Sequence, residues 1–286
     1  MNTTTNRNGG MSRRAFLGAG AVVAATSLAG CTARGLGTGE TTDRREWTFA
    51  PGAVTELRVA SDVGSVTVAG RSTDAVEVGA TKRSWNGQRG LDALAVDADL
   101  VDGVLTVVST ADTGRIRTDQ TPRVDLTIGV PAGAEGPAVT RVTTDFGDVT
   151  LTDTRGDARI QTVAGAIVAS GVDGYLSLRS TAGHIEAASV TGLDDVRTEI
   201  GRVKVEVLGL RRDTAIRSEM GDVVVGVAAD LDLDVLAEAD GRVSSDLELS
   251  DQRSRRNRVA GRLNDGGHRL HAASDFGRVD LRRTDR

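Results

Sequence analysis

The sequence predicts an all-β chain, a single-domain β-solenoid or β-helix of about 18–20 residues per turn behind a β-rich N-terminal part. Three observations predict it. The first is a phrase written repeatedly around a glycine: apolar, any, Ser/Thr, any, any, Gly, any, Val/Ile. The copies begin at Val142, Ile160, Leu178, Val196 and Ile216, and a sixth, with one insertion, begins at Leu270. Their glycines, Gly147, Gly165, Gly183, Gly201 and Gly221, are 18, 18, 18 and 20 residues apart, and Gly241 follows 20 later. A period this short means one small unit per repeat, burying its face only against its neighbours. The second is composition: 35 glycines and only seven aromatics in 286 residues suit tight corners and a core of Val, Ile, Leu and Ala. The third is period-two alternation with no helical period sustained over three turns.

Residues 1–30 read as a targeting segment. Ser12-Arg13-Arg14-Ala15-Phe16-Leu17 matches a twin-arginine export signal, with Arg13 and Arg14 at its centre, and Gly18 to Leu28 is the small and apolar core behind it. Leu28-Ala29-Gly30-Cys31 has the pattern at which a lipoprotein signal is cut and its cysteine lipidated. The apolar run is too short to span a bilayer. Cys31 is the only cysteine, so lipidation also accounts for an otherwise unpaired thiol in an exported chain. Residues 31–45, polar and rich in Gly and Thr, read as a flexible tether.

The β-rich part is placed at residues 46–140. Leu57 to Val68 contains an early copy of the phrase, cornered at Gly64. Asp102-Gly103 between two alternating runs is a hairpin signal, because both residues tolerate positive φ. Val124 to Val130 is a strand that Pro131 halts. Gly90 to Ala95 has room for a single helical turn.

The repetitive part is placed at residues 141–286, with about seven turns between Val142 and Leu281 and a length of about 30 to 35 Å at the inter-strand spacing. Alternation sends Ile160 and Thr162 inward, then Ile167 and Ala169 after the Gly165 corner. The Ser or Thr before each corner is placed to bond turning backbone, and the glycine permits the turn. Residues just after the corner form one file, with Arg202 between His184 and Asp222 and then Arg242. Those two before it form another, with Glu199 beside Glu219. Interleaved charges make this a solvated salt-bridge face rather than a cation ladder.

These landmarks, with Gly261-Arg-Leu-Asn264-Asp-Gly266-Gly267 ahead of the last copy, resemble the putative-adhesin domain of unknown function found in exported bacterial and archaeal proteins. The resemblance covers about residues 50–281. It implies a β-solenoid-like fold and an extracytoplasmic setting, and it brings no catalytic residues. The segment Asp251 to Arg258 departs from it by interrupting the rung spacing.

Removing residues 1–30 leaves 32 basic against 40 acidic residues, a charge of about −8, which excludes nucleic acid as the obvious partner. No nucleophile elbow, zinc-protease helix, phosphate loop or dinucleotide fingerprint is present. His268 and His271 fall on opposite strand faces, a poor metal pair, and His184 with Glu186 reads as a surface pair. No metal, cofactor or catalytic constellation is expected. The local charge anomaly is Arg253, Arg255, Arg256 and Arg258, expected in a loop bulging from the coil and placed to meet an anionic polymer such as teichoic acid, acidic polysaccharide or lipid head groups. Lys82-Arg-Ser-Trp85-Asn-Gly-Gln-Arg89 is a second candidate, read as an exposed loop. The expectation is therefore a non-catalytic lipoprotein, tethered to the outside of the cell membrane, acting as a binding, adhesion or structural module toward an envelope polymer or surface protein. The alternatives are a carbohydrate-active enzyme on a β-helix and an envelope-sensing partner of a membrane signalling protein.

Overall fold

The computed structural model describes residues 39–112 and 121–284. Arg13, Arg14 and Cys31 lie outside the described residues. The described chain is all β apart from one six-residue helix and one 3-10 turn at Gly133–Glu135. The first part runs β1 (Thr41–Phe49), β2 (Glu56–Val63), β3 (Val66–Arg71), β4 (Val76–Ser84), α1 (Gly87–Asp92), β5 (Leu94–Val101), β6 (Val104–Ala111) and β7 (Arg123–Pro131). The repeats supply strands in pairs, one before and one after each corner glycine. They are β8 (Ala138–Phe146) with β9 (Val149–Thr152), β10 (Ala158–Ala164) with β11 (Ile167–Ser170), and β12 (Tyr175–Ala182) with β13 (Ile185–Ala188). Next come β14 (Gly192–Ile200) with β15 (Val203–Val207), β16 (Thr214–Met220) with β17 (Val223–Ala228), and β18 (Leu233–Ala239) with β19 (Val243–Ser245). A hairpin, β20 (Ser250–Arg255) and β21 (Arg258–Leu263), precedes the last pair, β22 (His268–Phe276) and β23 (Val279–Thr284).

The strand before each corner joins one sheet and the strand after it joins the other. Sheet I has the order β1-β4-β7-β3-β9-β11-β13-β15-β17-β23-β19; sheet II has β20-β21-β18-β22-β16-β14-β12-β10-β8-β2-β6-β5. Neither sheet closes on itself. Repeat neighbours are parallel and in register at the glycine period: Ile160 pairs with Leu178, and Ile167 with Ile185. Seven such pairs lie between Val142 and Leu281.

Two spatial features depart from chain order. The Gly64 copy stacks directly on the Gly147 copy, through β2 on β8 and β3 on β9. At the other end the last copy inserts itself: β22 lies between β16 and β18, and β23 between β17 and β19. Arg242 therefore does not follow Asp222, as chain order led us to expect; Arg278 does. The reason is legible in the side chains. Ser274 fits against the Gly221 rung, whereas the Gly241 copy offers Ala239 at the equivalent register.

The space between the sheets is filled by small aliphatic side chains. Val142, Ile160, Leu178, Val196 and Ile216 form one fully buried file on sheet II, opposite Val149, Ile167, Ile185, Val203 and Val223 on sheet I. Next to the corner runs a ladder of hydroxyls. Thr162 Oγ1 donates to the Gly147 carbonyl at 3.2 Å, Ser180 to Gly165 at 3.2 Å, Thr198 to Gly183 at 3.0 Å, Ser218 to Gly201 at 2.8 Å and Ser274 to Gly221 at 2.8 Å. Each hydroxyl thus ties its rung to the preceding corner rather than to its own. A polar atom that would be costly to bury alone becomes a link between rungs.

Antiparallel strands cover both sheets at the N-terminal end of the stack and sheet II at the far end. β4 pairs antiparallel with β7, and β1 with β4 from Thr41–Ser84 to Phe49–Val76. Residues 41–45, expected in the tether, are thus part of a strand whose inward side carries Trp47 and Phe49. The β5–β6 hairpin turns at Asp102 (φ 50°) and Gly103 (φ 81°), as Asp-Gly predicts. At the far end Asn264 (φ 51°) donates from Nδ2 to the Ala229 and Leu231 carbonyls at 3.0 and 2.9 Å, pinning the turn that returns the chain for its last rung.

Candidate anionic-ligand surface

Arg253, Arg255, Arg256 and Arg258 do not sit in a loop. Arg253 and Arg255 belong to β20, Arg258 to β21, and Arg256-Asn257 is the turn between them. The correction has a simple cause: Val259 is buried, and it brings β21 onto β18 in antiparallel register. β20 then adds outside β21 through Arg253–Ala260, Ser254–Val259 and Arg255–Arg258. The turn is held to the body, since Val243 N–H donates to the Arg256 carbonyl and Ala239 N–H to the Asn257 carbonyl, both at 3.0 Å. Arg258 pairs with Glu238. Arg253, Arg255 and Arg256 are exposed and have no ion pair among the described residues.

The outer face of sheet II holds more arginines than the hairpin. Register aligns Arg179, Arg197 and Arg217 on adjacent strands β12, β14 and β16. In the neighbouring row Arg58, Arg141 and Arg159 align on β2, β8 and β10. Adjacent strands lie about 4.8 Å apart, so like charges stand directly opposite one another, an arrangement that costs stability in the free protein. Arg58 is drawn to Glu56 at 2.7 Å and Arg217 to Asp275 at 2.6 Å. Among the described residues Arg141, Arg159 and Arg179 are exposed without an ion pair, and Arg197 Nε is buried without a hydrogen-bond partner. From β8 to β16, Asp195 is the one carboxylate in these two rows.

These rows were missed in the sequence because their members are 18 or 20 residues apart, and 83 apart from Arg58 to Arg141. Aligning the copies on their glycines reveals them: Arg179, Arg197 and Arg217 each stand four before the corner, and Arg141 and Arg159 six before it.

The hairpin and the rows meet at an open groove of about 650 Å³ lined by Arg217, Glu238, Arg255, Arg258, His271 and Asp275. Its carboxylates are engaged: Glu238 by Arg258 and by His271 Nε2 at 3.1 Å, and Asp275 by Arg217. Arg255 reaches the groove with its charge unmatched by any ion pair among the described residues.

The remaining sequence candidates separate. His268 and His271 face different acids, Asp213 at 3.9 Å and Glu238 at 3.1 Å. His184 Nδ1 accepts from the Arg202 backbone N–H at 2.9 Å. Arg278 donates to both oxygens of Asp222 at 3.0 Å, and these bonds hold that carboxyl below the ordinary aspartate value. The Lys82-to-Arg89 segment is not an exposed loop. Lys82 is buried in β4 with Nζ donating to the Leu94 carbonyl at 2.7 Å, and burial lowers its pKa. Arg83 pairs with Asp125 and Glu40, which leaves Trp85 and Arg89 exposed around α1. Among the described residues no three His, Cys, Asp or Glu side chains are grouped to hold a metal, and no helix is long and apolar enough to cross a membrane.

No family model and no curated protein matches the chain. Solved structures similar to it include a putative adhesin from Parabacteroides distasonis ATCC 8503, at TM-score 0.40 and 11% identity over 85% of this chain and 97% of that one. A putative lipid binding protein from the same organism is similar at TM-score 0.40 and 10% identity, over 86% and 95% of the two chains. A putative cell adhesion protein from Clostridium sporogenes ATCC 15579 is similar at TM-score 0.39 and 9% identity, over 85% and 100%. The functional reading rests on this chain's own residues.

Proposed function

We propose that this protein is a non-catalytic binding module of the cell envelope, a β-solenoid held to the membrane by lipid on Cys31, with an arginine face that captures an anionic envelope polymer. The coil reading is supported by the alternation of every repeat between two sheets in parallel register. The tether reading is supported by the Arg13-Arg14 and Leu28-to-Cys31 patterns of the sequence. The observation that carries the binding reading is the set of exposed arginines without ion pairs among the described residues: Arg141, Arg159, Arg179, Arg253 and Arg255 on the outer face of sheet II, and Arg256 in the turn beside it. Guanidinium groups present a planar fork that meets carboxylate or phosphate oxygens two at a time. A chain molecule with repeating anions, laid across the strands, relieves the repulsion between stacked cations while contacting successive rungs.

Two experiments bear on this. Cys31→Ala should move the mature protein out of the detergent phase on partitioning; full retention there contradicts the tether. Arg253, Arg255 and Arg256 replaced together by Ser should leave the melting temperature nearly unchanged. The same variant should be retained less on purified envelope polymer at low salt. Unchanged retention by the folded variant makes the hairpin an ordinary solvated edge.

A further inference from the structure

The corner between the sheets carries an exposed apolar ridge. Register places Val63, Phe146, Ala164, Ala182, Ile200, Met220 and Phe276 in one file, each the residue just before its corner glycine. The four large members are 57% (Phe146), 55% (Ile200), 55% (Met220) and 70% (Phe276) exposed. Folding does not demand them, because the same corner position is occupied by alanine in two rungs. Surface of this kind, continuous over several rungs, marks an interaction site.

The charges beside the ridge differ from one side to the other. On the sheet II side stand Glu199 and Glu219, with no ion pair among the described residues; Asp275 there is taken by Arg217. On the sheet I side stand His184, Arg202 and Lys204, also without ion pairs, around an open groove of about 610 Å³ reached by Ile200 and Met220. Asp222 on that side is neutralised by Arg278, and Glu186 is its remaining acid near the groove.

We infer that the ridge is a self-association surface, joining two copies of this chain side by side and parallel. A twofold axis running along the stack lays each ridge on the other with like ends together. It also sets Glu199 and Glu219 of each copy against Arg202 and Lys204 of the other, on both sides of the contact. A twofold axis crossing the stack instead faces glutamates with glutamates, so the charges select the parallel arrangement. Parallel packing brings Phe276 onto Phe276, whereas the crossed packing separates them by about 29 Å, six inter-strand spacings.

The purified mature protein, with Cys31→Ala, should sediment as a concentration-dependent dimer. Ile200, Met220 and Phe276 replaced together by Ser should weaken association about a hundredfold or more with little change in melting temperature. The pair Glu199→Lys/Glu219→Lys and the pair Arg202→Glu/Lys204→Glu should each be monomeric alone and form a heterodimer when mixed. Phe276→Cys in the Cys31→Ala background should cross-link to itself under mild oxidation. A wild-type monomer at millimolar concentration overturns the inference, as does a dimer indifferent to the three serines. Failure of the mixed pair to associate, or of Phe276→Cys to cross-link in a sample that sediments as a dimer, overturns the parallel arrangement.

Discussion

At the scale of single residues the fold turns on the contact between successive corner glycines. A Cβ on Gly165, whose φ is 152°, would lie 2.0 Å from the Gly147 carbonyl oxygen. At Gly183 a Cβ would lie 1.8 Å from the Gly165 oxygen, with no left-handed φ to share the blame. Close approach, more than conformational freedom, is what forbids a side chain there. The obstacle is backbone and cannot swing aside, and the same oxygen accepts the Ser180 hydroxyl. Gly183→Ala should therefore destabilise the protein by about 2 to 3 kcal/mol or more in urea unfolding. Gly79→Ala is the control: its nearest neighbour would be the Thr127 oxygen at 3.6 Å, an ordinary contact, and the change should be within about 0.5 kcal/mol. Equal effects at the two sites would contradict the stacked-corner description.

At the scale of elements, much of the fold was legible and the reasons for the exceptions are physical. The glycine period gave the strand pairs, Asp102-Gly103 gave its hairpin, and Pro131 ended its strand. Spacing cannot give spatial order once a chain leaves the stack and returns. The β20–β21 hairpin does this, so the last copy inserts ahead of the Gly241 copy. A signal for it existed: the Gly241 copy has Glu238 three before its glycine where the others have Ser or Thr. The site was legible only where its residues were neighbours in sequence. Arg253 to Arg258 stood out, while Arg141, Arg159 and Arg179 needed the copies aligned. Lys82 misled for the opposite reason, since a lysine beside Trp and Arg reads as surface until Leu94 offers its carbonyl. The hairpin arginines also serve the fold. β20 is a wholly exposed edge strand, and its charges, like the short β19 edge of sheet I, discourage edge-to-edge pairing with another chain.

At the scale of the whole molecule, the chain carries a formal net charge of −5, yet one face gathers cations that its acids leave unmatched. Contact of a polyanion with this face should therefore be salt-sensitive. Exposed charges are screened beyond about 10 Å at 0.1 M salt, and capture should weaken steeply across that range. The most direct measurement is elution of the purified folded protein from immobilised polygalacturonate along a salt gradient. Wild type is compared with a variant in which Arg141, Arg159 and Arg179 are all Ser. Wild type should be retained at low salt, and the variant should elute distinctly earlier at an unchanged melting temperature. Elution of both at the same salt concentration would contradict capture by the arginine face.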